Sequence, residues 1–235
     1  MNVVRHTGNP ARDQWESKGW ALVPDFVGAD ELAELRKEAA RLWADQSLFG
    51  ARGAVPKSAT RSDRLDPVTD LSERFAALAR DPRLLGVVNN VLGGSAQLMK
   101  DKYIAKPPGA GGYSAHQDGA YWQGIDLDFS RSLTAILFLD DSTSDNGAIE
   151  CSSGQHHGLL TEAGIMADPD EDKLNSFTTI EAAAGDLLLL HALTPHCSSP
   201  NRSTAMRRTL AYTYSVDARP DLYAIYKQFQ QEVRS

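Results

Sequence analysis

The chain holds two cysteines among its 235 residues, Cys151 and Cys197. That is too few for a disulfide framework, so the stapled scaffolds of small secreted domains are excluded and both residues are expected as free thiols in a reducing cytoplasm. No apolar run approaches the ~20 residues of a membrane-spanning helix, and mean hydropathy is -0.36, so no membrane partner is expected. Basic blocks are missing as well. The 24 Lys and Arg are outweighed by 31 Asp and Glu, for a net charge of -7, and no Lys/Arg stripe interleaves with aromatics. A nucleic-acid partner would need that electrostatic footprint. The chain opens with no charged-then-apolar leader, and it carries neither repeats nor low-complexity segments. Hydrophobic residues make up 42%, enough for a substantial core, and a single domain over 1–235 is expected.

The first part, about 1–94, reads as helical. Leu32, Leu35, Ala39 and Leu42 recur at helical spacing behind Asp30 and Glu31. Asp70 and Glu73 have capping-box spacing before Phe75 and Leu78. Asp81-Pro82 supplies an N-cap and a proline at the first helical position, and Gly93-Gly94 a stop. These helices are expected to brace one face of a sheet, with Trp15, Trp20, Leu32, Leu35 and Trp43 as core packing. From residue 97 the period changes to two. Strands are expected over 97–105, 113–118, 132–140, 148–152, 178–181, 186–191 and 209–216, giving a jelly-roll core over about 95–218 and a C-terminal helix over about 220–233. The long polar connection 159–176 is a candidate lid or a plain solvated loop.

Chemistry concentrates in residues 113–122, YSAHQDGAYW. If this segment is a strand, His116 and Asp118 share a face and can offer an imidazole nitrogen and a carboxylate oxygen to one ion. A facial site of two histidines and one carboxylate leaves three positions open on non-heme Fe(II). The second histidine can be drawn from His156, His157, His191 and His196, His6 lying near the N-terminus. Asp186 to His191 reads as a buried strand that Pro195 then breaks, so His196 is expected just past a strand end. Eleven residues beyond His196 stands Arg207, at the mouth of a further strand, where a planar guanidinium can grip a carboxylate.

These pieces, in order, resemble the phytanoyl-CoA dioxygenase family of Fe(II)/2-oxoglutarate oxygenases. They are Lys106-Pro107-Pro108, His116-Gln117-Asp118, Asp145-Asn146-Gly147 to Glu150 with Gly154-Gln155-His156, Gly185-Asp186, His196 with Ser198 and Asn201, and Arg207. The resemblance runs from about residue 14 to 216. It implies a double-stranded β-helix, cupin-like in form and mainly β behind its N-terminal helices. It also implies His116, Asp118 and His196 as iron ligands, Arg207 as partner of the far carboxylate of 2-oxoglutarate, and His156 as a non-ligand. His191 is the weaker choice for the second histidine, with Arg202 then inheriting the spacing of eleven. Fe(II), 2-oxoglutarate and O2 become the expected cofactors, with ascorbate able to serve as reductant.

The same resemblance implies hydroxylation of an unactivated C–H of a small-molecule metabolite, with release of succinate and CO2. Related halogenases lack the carboxylate ligand, and Asp118 is present. Gln117, Thr134 and Ser198 are further candidates for the cosubstrate. Lys100, Lys102 and Ile104 share a strand face, which makes Lys102 or Lys100 a candidate lining of the same pocket. Tyr121 and Trp122 are candidates for the substrate wall, and Arg64 for a substrate carboxylate. Two other readings stand beside this one: a cupin-like metalloenzyme that does not use 2-oxoglutarate, and a noncatalytic metabolite-binding jelly roll. Neither the substrate nor the oligomeric state is written in the sequence.

Overall fold

The computed structural model describes residues 10–49, 63–160, 176–216, 219 and 221–234. Residues 161–175 of the polar connection, and with them most of the candidate lid, lie outside the described residues. Four helices precede the main run of strands: α1 (Pro10–Lys18), α2 (Ala29–Ala44), α3 (Glu73–Ala79) and α4 (Pro82–Leu92). Helix α2 buries the four expected positions, Leu32, Leu35, Ala39 and Leu42, on one stripe. Helix α4 begins as its sequence dictates, with the Asp81 carboxylate accepting from the Arg83 N–H at 2.7 Å, and stops at Gly93 in the left-handed region at φ 69°. Helix α3 departs from expectation. Its cap is Ser72, whose hydroxyl accepts from the Phe75 N–H, while Asp70 pairs with Lys227 at 2.9 Å.

Ten strands follow the numbering β1 (Trp20–Val23), β2 (Asp63–Leu65), β3 (Gln97–Lys106), β4 (Tyr113–His116), β5 (Ser132–Phe138), β6 (Ile149–Ser152), β7 (Phe177–Ile180), β8 (Leu187–His191), β9 (His196–Ser198) and β10 (Arg207–Ser215). Two of them, β1 and β2, fall in the part read as helical; at four and three residues they are too short to show a period, and only pairing to β8 and β3 makes them strands. The major sheet has the order β1-β8-β5-β10-β3-β2 and the minor sheet β4-β9-β6-β7, with every pairing antiparallel.

Alternation on the major sheet divides the core. Leu133, Ala135, Leu137, Leu189, Leu210, Tyr212 and Tyr214 pack outward against α1 to α4. Ile136, Phe138, Leu188, Leu190 and Ala211 point inward and meet Ile149, Cys151 and Ile180 of the minor sheet. Strands covered on both faces read as continuous apolar runs, which is why β5 and β8 are buried at every position. The last helix, α5 (Leu222–Arg234), packs Leu222 and Tyr226 with Met99, Trp122 and Ile125 beside the open end of the sandwich.

Candidate metal centre

Strand β4 stops at His116, and Asp118 opens a short 3-10 turn over 118–122. The expected strand over 113–118 therefore ends early, and alternation along one strand does not bring the two groups together. Cross-strand pairing instead brings His116 to a second histidine. His116 lies directly opposite His196 in the β4–β9 ladder, with ring centroids 4.2 Å apart. His196 follows the end of β8 and itself begins β9. One ligand atom from each of His116, Asp118 and His196 lies within 4.8 Å of the others.

Each imidazole is held in the same way. Nδ1 of His116 meets the Ser114 carbonyl at 2.7 Å, and Nδ1 of His196 meets the Thr194 carbonyl at 3.0 Å. A carbonyl accepts only, so Nδ1 carries the proton and Nε2 keeps its lone pair for a metal. Burial, then the neighbouring His196, pulls His116 down to about 3, and burial lowers His196 as well, so both rings are neutral. At Asp118 burial opposes ionisation, but the Lys102 charge, with Lys100 behind it, outweighs it and holds the carboxyl below its usual range. Thr134 Oγ1 donates to Asp118 Oδ2 at 3.3 Å and touches Thr213 Oγ1 at 3.0 Å. Two neutral imidazoles and one ionised carboxylate are the donor set of non-heme Fe(II), so the residues fit that ion.

The triad opens into a cavity of about 470 Å³ between the sheets. Arg207, Lys102, Thr134, Ser198, Tyr121 and Arg64, all singled out from sequence, line it. Arg207 is 3% exposed, and its Nε has no partner among the described residues. Burial lowers it only to about 10, so it stays a cation in want of an anion. Tyr121 stands edge-on to His116 at 5.6 Å and is 43% exposed, at the mouth.

Two expected residues are placed elsewhere. Trp122 is fully buried among Met99, Ile125, Ala192 and Tyr226, because the 3-10 turn carries it away from the cavity and under α5. Gln117 donates to the Gly158 and Leu193 carbonyls at 2.8 and 2.6 Å and accepts from the Leu160 N–H at 2.7 Å; with its amide committed to three backbone groups, it anchors loops rather than facing the cavity. His156 and His191 are not part of the triad; their rings tilt against Trp15 at 6.5 and 4.7 Å between centroids. His191 accepts from the Leu193 N–H and meets the Ser130 carbonyl, so both its nitrogens are spent.

Sequence reasoning quoted Lys106 only as part of a motif. It is fully buried, and Nζ donates to Ser198 Oγ at 2.9 Å and to the Ser199 carbonyl, pinning β9 from below. Burial, then Arg207, lowers it to about 7. Gly147 permits this approach: it sits at φ 78°, and a Cβ there would lie 2.5 Å from Lys106 Nζ. Asn201 folds the next loop by donating to the Lys106 and Ala205 carbonyls, each at 2.8 Å, which sets the path from His196 to Arg207. A lysine directly before two prolines was the available signal, since the residue before a proline is held extended.

Comparison with known proteins agrees with this geometry. The phytanoyl-CoA dioxygenase (PhyH) family model matches residues 15–209. The chain belongs to the phytanoyl-CoA dioxygenase family. Among curated relatives, methylphosphonate hydroxylase of Gimesia maris is 28% identical, the alignment covering 91% of this chain and 83% of that protein. Ectoine dioxygenase of Halomonas elongata is also 28% identical, over 86% and 68% of the two chains. The crystal structure of EctD from S. alaskensis with bound Fe superposes with a TM-score of 0.79 at 22% identity, covering 95% of this chain and 86% of that one, and supports the jelly-roll fold. This member of the family is a 2-oxoglutarate-dependent non-heme iron dioxygenase, with iron and 2-oxoglutarate as its cofactors. No helix among the described residues is long and apolar enough to cross a membrane.

Proposed function

We propose that the enzyme hydroxylates an unactivated C–H bond of a small-molecule metabolite, converting 2-oxoglutarate and O2 to succinate and CO2 as the substrate gains a hydroxyl. The observation that carries this is the meeting of His116, Asp118 and His196 on the wall of a cavity that Arg207, its Nε without a partner among the described residues, also lines. His116, Asp118 and His196 would hold the iron, and Arg207 the far carboxylate of 2-oxoglutarate, with Ser198, Thr134 and Lys102 lining that pocket. Iron and 2-oxoglutarate, when bound, supply the oxidising power drawn from O2. The protein contributes position: neutral imidazoles, a carboxylate kept ionised, and a cavity large enough for cosubstrate and a small substrate together.

Asp118 favours hydroxylation over halogen transfer, because its carboxylate would hold the iron where a halide would otherwise bind. Relatives named for methylphosphonate and ectoine support a small-molecule substrate. The free thiols Cys151 and Cys197 fit a reducing cytoplasm as its place of work. The test is succinate formed from 2-oxoglutarate with Fe(II) and O2 across a broad panel of metabolites. Wild type is expected to turn over with at least one of them, with a hydroxylated product by mass, and Asp118→Ala to fall to background. Equal succinate yields from the two proteins would end this reading.

A further inference from the structure

Alternation does not explain how Asp118 comes to face the two imidazoles, because strand β4 has ended before it. The turn between β8 and β9 does. Successive carbonyls of that turn accept from the residues on either side of one ligand and from the ring of another. The Gly119 N–H donates to the Ala192 carbonyl at 2.9 Å, Gln117 Nε2 to the Leu193 carbonyl at 2.6 Å, and His196 Nδ1–H to the Thr194 carbonyl at 3.0 Å. Asp118 is thus gripped through both of its chain neighbours, and His196 through its own imidazole, by one short stretch over 192–194.

That turn is itself held from behind. Thr194 is fully buried, and its Oγ1 donates at 2.7 Å to the Gly19 carbonyl, which also takes the His191 N–H at 2.9 Å. Gly19 joins α1 to β1, so the N-terminal segment meets the ligand-bearing turn at this carbonyl. A side chain at Gly19 would prevent the approach, since its Cβ would collide with Thr194 Oγ1. The Thr194 N–H returns to the His191 carbonyl at 3.0 Å, so amide, hydroxyl and carbonyl of this residue are all engaged. Its branched side chain is stiff about χ1, and Pro195 after it disfavours the helical region. Fixing the hydroxyl therefore fixes the direction of the carbonyl. A carbonyl that receives Nδ1–H sets both the orientation and the tautomer of a ligand imidazole.

We propose that Thr194 is a positioning residue of the metal centre: its hydroxyl, held by Gly19, locks the turn over 192–194, and the turn sets Asp118 and His196 at the separation one metal ion requires. Thr194 does not line the cavity and acts through the two ligands. This rests on the triad being the iron site, as the oxygenase reading has it. Loss of the hydroxyl leaves the Gly19 carbonyl with the His191 N–H, so no buried acceptor is orphaned and the fold loses little. What goes is the aim of a ligand, and the effect belongs in metal affinity.

The experiment titrates Co(II), whose visible spectrum reports coordination geometry, into the full chain stripped of metal. Thr194→Val is expected to bind the ion about ten-fold more weakly than wild type and to shift its visible spectrum, while Thr194→Ser, which keeps the hydroxyl, recovers most of the affinity. Tyr214→Phe removes another buried hydroxyl bond, to the Ala79 carbonyl on the outer face of the major sheet, and is expected to leave Co(II) binding unchanged. A second measurement needs no variant and decides the matter should Thr194→Val fail to fold. Saturating Co(II) should slow hydrogen exchange at the wild-type His191 and Thr194 amides about ten-fold beyond any change in α2. Wild-type affinity in Thr194→Val, an equal loss in Tyr214→Phe, or exchange slowed no more at Thr194 than in α2 overturns the assignment. Asp118→Ala separates it from the reading beneath. Undiminished Co(II) binding there removes the triad as a metal site, whereas loss there with none in Thr194→Val removes only the role given to Thr194.

Discussion

The two faces of strand β10 make opposite use of one stretch of sequence. Leu210, Tyr212 and Tyr214 point outward, are fully buried, and join the helices; the Tyr212 and Tyr214 hydroxyls donate to the Phe75 and Ala79 carbonyls at 3.0 and 2.6 Å. Arg207, Thr209 and Ala211 point inward and line the cavity, with Thr213 supporting Thr134 and, through it, Asp118. Stability and chemistry are thus separated by a period of two rather than by distance. The outer face gains from apolar area removed from water and from satisfied hydroxyls. The inner face carries buried cations and short polar side chains, which cost stability until a ligand pairs with them.

That contrast can be broken by mutation. Leu210→Ala is expected to have the largest effect on folding, about 2–5 kcal/mol by denaturant unfolding, with the fraction that remains folded keeping its affinity for 2-oxoglutarate. Arg207→Ala should do the reverse. KM for 2-oxoglutarate should rise about a hundred-fold, while the unfolding free energy of the ligand-free protein stays within about 1 kcal/mol, since no partner is orphaned. If Arg207→Ala instead unfolds the protein and Leu210→Ala does not, the division of labour between the faces is wrong.

A smaller effect should appear in the pH dependence of stability. Lys106 is also on the inner side, and its folded-state value, about 7, lies below that of an unfolded lysine. Between those two values the unfolded chain binds the extra proton, so this group makes stability rise with pH over that window. Its penalty is fully present below about 7 and is relieved as pH climbs toward the unfolded value. Ligand-free wild type should therefore gain on Lys106→Met from about pH 7 to pH 9 in chemical unfolding. Parallel curves for the two proteins would show that Lys106 titrates normally.

Legibility of the site varied residue by residue. His116, Asp118 and Arg207 could be picked out because each belongs to a short motif whose residue types carry the chemistry. Choosing His196 over His191 needed a family resemblance beforehand and the β4–β9 ladder afterwards, for both histidines sit beside apolar strands in the sequence. Trp122 was misplaced because one 3-10 turn rotates it by an amount no strand period predicts. Gln117 was misread for a related reason: its three hydrogen-bond partners come from residues 158, 160 and 193, invisible locally. Strands β1 and β2 were missed because three or four residues hold no measurable period.

By itself the sequence determined the local elements and the chemical inventory: the α2 stripe, the α4 cap and stop, the apolar runs of β5 and β8, and a histidine, a carboxylate and an arginine of suitable kinds. Those depend on neighbours a few residues away, where backbone geometry is nearly fixed. Tertiary structure alone decided which histidine stands opposite His116, which inward residues of β3 and β10 share a cavity, and that Lys106 reaches beneath β9. Such contacts join strands distant in the chain, and their register is set by burying one whole face against another.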